Sequence, residues 1–203
     1  MPLEIEPASA EPGVPVGEWL LDTAPEILGY LFGGREAAIR NLTAHWAMPN
    51  GLFSHALAVV ARREGATVGL MHGMTQAEKN EQRPHTIERL AADLAPDALA
   101  AQAARGATMA PLIQPVPDDA WYVQHLVVDE TARGGGAGKA LLHHAFDKAK
   151  AAGYTAVHLD VEISNPAQAF YLSQGMEAAV EVRVPRLAGE HGVSGAVRMV
   201  RTL

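Results

Sequence analysis

The spacing of hydrophobic residues along this chain changes several times, and each change marks an element. Trp121 to Asp129 carries the β-formers Tyr122, Val123, Leu126, Val127 and Val128 with polar residues between them, which predicts a strand. From Gly138 onward Leu141, Leu142, Ala145, Phe146 and Ala149 fall at helical spacing, and Gly153 stands where a helix ends. Val157, Leu159, Val161 and Ile163 alternate with Ala156, His158, Asp160 and Glu162, a strand with unlike faces. Asn165 as N-cap and Pro166 at the first helical position open a further helix that ends at Gly175. Ala178 to Val184 and Ala196 to Thr202 read as the last two strands, with a loop over Gly189 to Gly195.

The N-terminal half is less regular. Leu3 to Ile5 predicts a short first strand. Asp22-Thr23 before Pro25 and Glu26 predicts a helix start, with Ile27, Leu28 and Leu31 as its stripe until Gly33-Gly34. A second helix is expected over Arg35 to His45, burying Ile39, Leu42 and Trp46, before Met48-Pro49-Asn50-Gly51 breaks the chain. His55 to Arg63 and Thr67 to Met74 read as a hairpin across Glu64-Gly65-Ala66. Residues 76–118 are expected to be helices inserted between that hairpin and the Trp121 strand. With Pro96, Pro111, Pro115 and Pro117 as breaks and few large apolar residues, they cannot build a core of their own.

Composition narrows the classes. At 203 residues, 48% hydrophobic, with a mean hydropathy of +0.01, the chain reads as one well-cored globular domain. No apolar stretch reaches the ~20 residues of a membrane helix, and the acidic start Met1-Pro2-Leu3-Glu4-Ile5-Glu6 is unlike a signal peptide, so a cytoplasmic location and no membrane partner are expected. A formal charge of −7, with no basic cluster larger than Arg62-Arg63, argues against nucleic acid as a partner and favours a cationic or amine ligand. The absence of cysteine excludes disulfides, thiolate zinc sites and any acyl-cysteine intermediate. The histidines lack metal-ligand spacing, so no metal is expected.

Between the Trp121 strand and the Leu141 helix lies Arg133-Gly134-Gly135-Gly136-Ala137-Gly138-Lys139. Glycines in a strand-to-helix turn let successive backbone N–H groups point at one anion, which the helix dipole also favours, and Arg133 and Lys139 add cationic reach. A nucleotide-triphosphate loop would need glycine at Arg133 and a hydroxyl at Ala140. A dinucleotide fingerprint would need glycine at Lys139 or Leu141. Neither is present.

What fits is Arg133-x-x-Gly136-x-Gly138, preceded by Leu126-Val127-Val128-Asp129, with Asn165-Pro166-Ala167-Gln168-Ala169-Phe170-Tyr171 through Gly175-Met176 downstream. These two segments resemble the acetyl-CoA loop and the N-x-x-A-x-x-(F/L)-Y segment of the GNAT superfamily of N-acetyltransferases. The resemblance is detailed over residues 120–180 and weaker over the strands from 55 to 75. It implies an α/β fold: a mixed, twisted sheet of six to seven strands flanked by helices on both faces. It also implies one N-acetyltransferase domain over 1–203, with residues 1–50 supplying acceptor-side helices. Acetyl-CoA would lie in a cleft where the Leu126 strand and the Val157 strand splay apart. Leu126, Val127, Val128, Arg133, Gly134, Gly135, Gly136, Ala137, Gly138, Lys139, Asn165 and Tyr171 would touch it. Homodimers are common among the resembled proteins.

Acetyl transfer to an amine needs a base, a donor for the carbonyl oxygen and an acid for the leaving thiolate. The resemblance places the oxygen's donor at an irregularity over Leu126 to Val128, and the acid at Tyr171, whose other reading is a core tyrosine. For the base, His125 on the loop strand, Glu162 on the neighbouring strand and ordered water all stay open. Trp19, Trp46, Tyr30 and Phe32 read as core positions or as an acceptor pocket. The acceptor is an unidentified small molecule or protein amine. A non-catalytic acyl-CoA sensor on the same fold is the alternative.

Overall fold

A computed structural model describes residues 3–203. Its centre is a seven-stranded sheet of β1 (Glu4–Pro7), β2 (Ala58–Arg63), β3 (Ala66–Met74), β4 (Ala120–Val128), β5 (Ala156–Glu162), β6 (Glu177–Val182) and β7 (Ala196–Thr202). The spatial order is β1-β2-β3-β4-β5-β7-β6. Every neighbouring pair is antiparallel except β4 and β5. That pair is joined by a helical crossover, as parallel strands require. The mixed sheet of the expected strand count is therefore present, with helices on both faces.

One face is covered by α6 (Ala137–Ala151) and α7 (Ala167–Ser173). Leu141, Leu142, Ala145 and Ala149 of α6 are fully buried against Trp121, Val123, Val157 and Leu159. The apolar stripe read from the sequence is the one that docks. The opposite face carries α1 (Val16–Thr23), α2 (Pro25–Phe32) and α3 (Arg35–Trp46), whose Trp19, Leu20, Leu42, Trp46 and Phe32 meet Val60, Leu70 and Val127. Three of the four aromatics considered for an acceptor pocket are thus core, while Tyr30 packs against the cluster of Met109, Leu112, Leu187 and Val193.

Two helices escaped the sequence pattern. Asp22-Thr23 closes α1 rather than opening α2, because Ala24 breaks the backbone at φ −153°, ψ 68° and Pro25 starts afresh as the first residue of α2. The stretch expected as loop after β6 contains α8 (Pro185–His191). It is held by Leu187, fully buried with Met109, Leu112 and Val193, a tertiary contact that local pattern cannot reveal.

Residues 76–118 form α4 (Gln76–Asp93) and α5 (Pro96–Met109), lying in the chain between β3 and β4 as expected. α4 opens with a capping box: Thr75 Oγ1 accepts the Glu78 N–H at 3.1 Å, and Glu78 Oε2 accepts the Thr75 N–H at 2.7 Å. Among the described residues no helix is long and apolar enough to cross a membrane.

Candidate active site

The geometry of the site begins with two local departures from regular sheet. β4 and β5 pair only from Ala120↔Ala156 to Val123↔Leu159, although β4 continues to Val128 and β5 to Glu162. Beyond that point the two strands part. Leu126, Val127 and Val128 stay bonded to Met71, Leu70 and Gly69 of β3, so their β5-side backbone groups have no strand partner.

The second departure is a bulge. β3 and β4 shift register between His72↔His125 and Gly73↔Val123, leaving Gln124 as the extra residue. One inserted residue reverses which face the following side chains take. Trp121 and Val123 face α6 before the bulge, and Leu126 and Val128 regain that face after it, while Val127 joins the α1–α3 side. The irregularity expected over Leu126 to Val128 therefore sits earlier, at Gln124, where the pleat must slip to keep Leu126 and Val128 on the α6 face.

The cleft opened by the splay has a volume of about 820 Å³. At one end lies the glycine loop. Gly134 (φ 77°) and Gly136 (φ 85°) take left-handed backbone, which L side chains avoid, and Gly136 is the N-cap of α6 with no side chain capping it. The first N–H groups of α6 are thus free to bind an anion. Arg133, Gly134, Gly136, Ala137, Gly138 and Lys139 all line this end. Gly135 does not. Its carbonyl accepts Arg63 Nη2 at 2.5 Å, and a Cβ there would lie 2.6 Å from the same guanidinium. Arg63, on the hairpin, is a partner that spacing along the loop could not suggest.

Leu126, Val127 and Val128 form the cleft wall, and Asn165 and Tyr171 line it from the α7 side. α7 starts one residue later than expected, with Pro166 and not Asn165 as its N-cap. Asn165 Oδ1 still accepts the Ala167 N–H at 2.9 Å, while Nδ2 donates to Thr23 O at 3.4 Å. Tyr171 is 7% exposed, and burial pushes its hydroxyl up to about 12.

The two base candidates separate cleanly. His125 does not line the cleft. The bulge turns it into the α1–α3 face, where its ring lies 5.7 Å from Phe53 and 5.8 Å from His72. Thr23 Oγ1 donates to Leu20 O at 2.7 Å, so it accepts the His125 Nδ1 proton at 2.7 Å; Gln124 Nε2 donates to His125 Nε2 at 3.2 Å. Both ring nitrogens are used, and burial, then His72, drives the imidazole well below its usual value.

Glu162 does line the cleft, although its side chain is 2% exposed. Oε1 accepts the Ile27 N–H at 2.8 Å in the first turn of α2. Burial raises the carboxyl to about 7 against the Ile27 hydrogen bond, and the nearby Glu26 charge adds to the rise. Asp22, Thr23 and Glu26, at the α1–α2 junction, also line the cleft. None of the three stood out in the sequence as a site residue, because helix-terminal Asp, Thr and Glu read as capping groups.

The profile of the Acetyltransferase (GNAT) family matches residues 34–176. No curated protein matches this chain by sequence. An N-acetyltransferase from Staphylococcus aureus Mu50 superposes with a TM-score of 0.72 at 11% identity, over 98% of this chain and 100% of its own. A solved acetyltransferase gives 0.66 at 21% identity over 98% of both chains. A PaiA N-acetyltransferase from Thermoplasma acidophilum, solved in complex with coenzyme A, gives 0.53 at 15% identity over the whole of both. Shared fold, and a family profile covering well over half the sequence, lead to one conclusion: this chain belongs to the GNAT family of acetyltransferases.

Proposed function

We propose that the chain transfers an acetyl group from acetyl-CoA directly to a primary amine. The observation that carries this reading is the parting of β4 and β5 after Val123 and Leu159, which opens unpaired backbone beside an uncapped helix start. Acetyl-CoA supplies an activated carbonyl carbon bonded to a thiolate leaving group. The N–H groups at the start of α6, with Arg133 and Lys139, suit its diphosphate. The free main-chain groups from Leu126 to Val128 suit the amides of its pantetheine arm, and an N–H there takes the charge that develops on the carbonyl oxygen.

Glu162 acts as the base. A carboxyl near 7 is largely ionised just above neutrality, yet basic enough to take the proton an amine must shed as the C–N bond forms. The C–S bond breaks, and Tyr171, which keeps its proton at any working pH, donates a hydrogen bond to the departing sulfur. A buried carboxylate in the cleft, able to serve as a base, counts against the acyl-CoA sensor alternative. In this reading residues 1–203 act as one domain. The acceptor end is built by residues 22–26 and not by 76–118, none of which lines the cleft. A homodimer belongs to the same proposal, carried by the family resemblance alone.

Coenzyme A titrated by calorimetry, followed by thiol release across an amine panel, tests the reading. Binding with amine-dependent release is expected. Failure of coenzyme A to bind overturns the whole assignment, and binding without release by any amine overturns the activity.

A further inference from the structure

The cleft is electrically polarised along its length. Arg133 and Lys139 line the loop end, whereas Asp22, Glu26 and Glu162 line the other, and no further Lys, Arg or His lines the cleft. Arg35 reaches Asp22 only from outside, at 3.5 Å, and both are more than half exposed, so this pair is weak.

Glu26 is held in one position. Its Oε1 accepts Ser164 Oγ at 2.6 Å, and Oε2 accepts both the Ser194 N–H and Ser194 Oγ at 2.7 Å. Burial opposes its ionised form, but these hydrogen bonds win and keep the carboxyl below its usual value. Glu162 lies beside it, more than nine-tenths buried and lining the cleft. Its Oε1 accepts the Ile27 N–H, the Glu26 backbone also favours the ionised carboxylate, and Oε2 accepts no hydrogen bond from a described side chain. Two carboxylates thus converge on one cavity, the charge of one raising the other, and no protein cation among the cleft lining at this end offsets them. Carboxylates converging on one cleft favour a cationic ligand there.

We infer that the acceptor is a linear diamine, with one nitrogen presented to Glu162 and the distant ammonium seated on Glu26, with Asp22 at the outer lip. This rests on the acetyl-transfer reading of the same cleft. The reacting ammonium gives up two protons as its C–N bond forms and the C–S bond breaks, one to Glu162 and one to the departing thiolate. The product therefore carries one positive charge where the substrate carried two. Its neutral end no longer satisfies Glu162, which favours release. A reversed product would put the neutral acetamide on Glu26, so the reaction stops at the mono-acetylated diamine. An α-amino or ω-amino acid brings its own carboxylate toward Glu26 and is repelled.

The test compares kcat/KM for 1,4-diaminobutane, butylamine and 4-aminobutanoate at saturating acetyl-CoA, in the parent and in Glu26→Gln and Asp22→Asn, with the product identified by mass spectrometry. The diamine is expected to exceed butylamine by about tenfold or more, mostly through KM, with 4-aminobutanoate slowest and the product mono-acetylated. Glu26→Gln is expected to shrink the diamine-to-butylamine ratio several-fold, and Asp22→Asn to shrink it less. Should Glu26→Gln fail to fold, the parent's own ratio still decides. Butylamine turned over as well as the diamine overturns the diamine assignment while leaving acetyl transfer standing. Thiol release with none of these amines, coenzyme A still binding, overturns both.

Discussion

Glu162, at the end of β5, accepts a hydrogen bond from the backbone N–H of Ile27 in the first turn of α2, across 135 positions of chain. That contact ties the end of β5 to α2 and sets the carboxylate on the cleft wall. The helix N-terminus favours the ionised form, and burial disfavours it. Burial wins, and a carboxyl near 7 is the outcome.

Glu162→Gln is expected to lower kcat by roughly 10²–10⁴, the usual worth of a positioned base, with coenzyme A affinity nearly unchanged. In the parent the rate rises with pH through about 7 as the base ionises, and the variant loses that inflection. Because the folded carboxyl sits above its unfolded value, ionising it weakens the fold as pH climbs from the ordinary carboxylate range to about 7. Glu162→Gln should therefore melt no lower than the parent at pH 8. A pH–rate profile paired with thermal melts checks all three statements.

Tyr171→Phe should slow turnover without weakening coenzyme A binding, since the ring keeps its packing beside Phe170 and only the hydroxyl is lost. With that hydroxyl near 12, the parent's rate should show no tyrosine inflection on the alkaline side below about pH 10. Single-turnover kinetics set against a binding titration separates the two effects, and an unchanged rate would remove the residue from the chemistry.

Gly136→Asp attacks the anion cradle twice. It places a side chain on left-handed backbone, at a cost of about 1 kcal/mol, and sets a negative charge beside the expected diphosphate. Coenzyme A at a hundredfold excess over its Kd should add ~2.7 kcal/mol to the parent's stability and far less to the variant's. Thermal shift with and without coenzyme A measures this directly.

Acid should unfold the protein through its buried histidines. His72 is fully buried on β3 with Nε2 on Ser54 O at 3.0 Å, and burial lowers it to about 4. His125 beside it is lowered well below the ordinary value and His45 is lowered too, burial being the largest cause for both. A histidine depressed in the fold leaves stability intact above about 6.5 and removes it as pH falls toward the folded value. His72 alone accounts for up to roughly 3 kcal/mol over that window. Urea midpoints taken from pH 7.5 to 4.5 should fall across this range. His72→Phe should flatten the slope while losing about 1 kcal/mol at pH 7.5 with the Ser54 hydrogen bond. An unchanged slope would place the acid sensitivity elsewhere.

The sequence by itself settled the parts that depend on near neighbours. The α6 stripe from Leu141 to Ala149, the alternation of β5, the Asn165 bond to Ala167 and the left-handed glycines before α6 are all set within a few residues of chain. Tertiary structure decided the rest. The bulge at Gln124 reverses the pleat, which moved His125 from the cleft into a helical core and kept Leu126 and Val128 on the α6 face. α8 forms because Leu187 finds a buried seat, and Arg63 meets Gly135 across 72 positions. The Glu162 carboxyl is raised only when α2 and Glu26 close over it. A carboxylate's affinity for its proton is a property of the medium and charges around it, and those are brought together by distant segments that no local periodicity encodes.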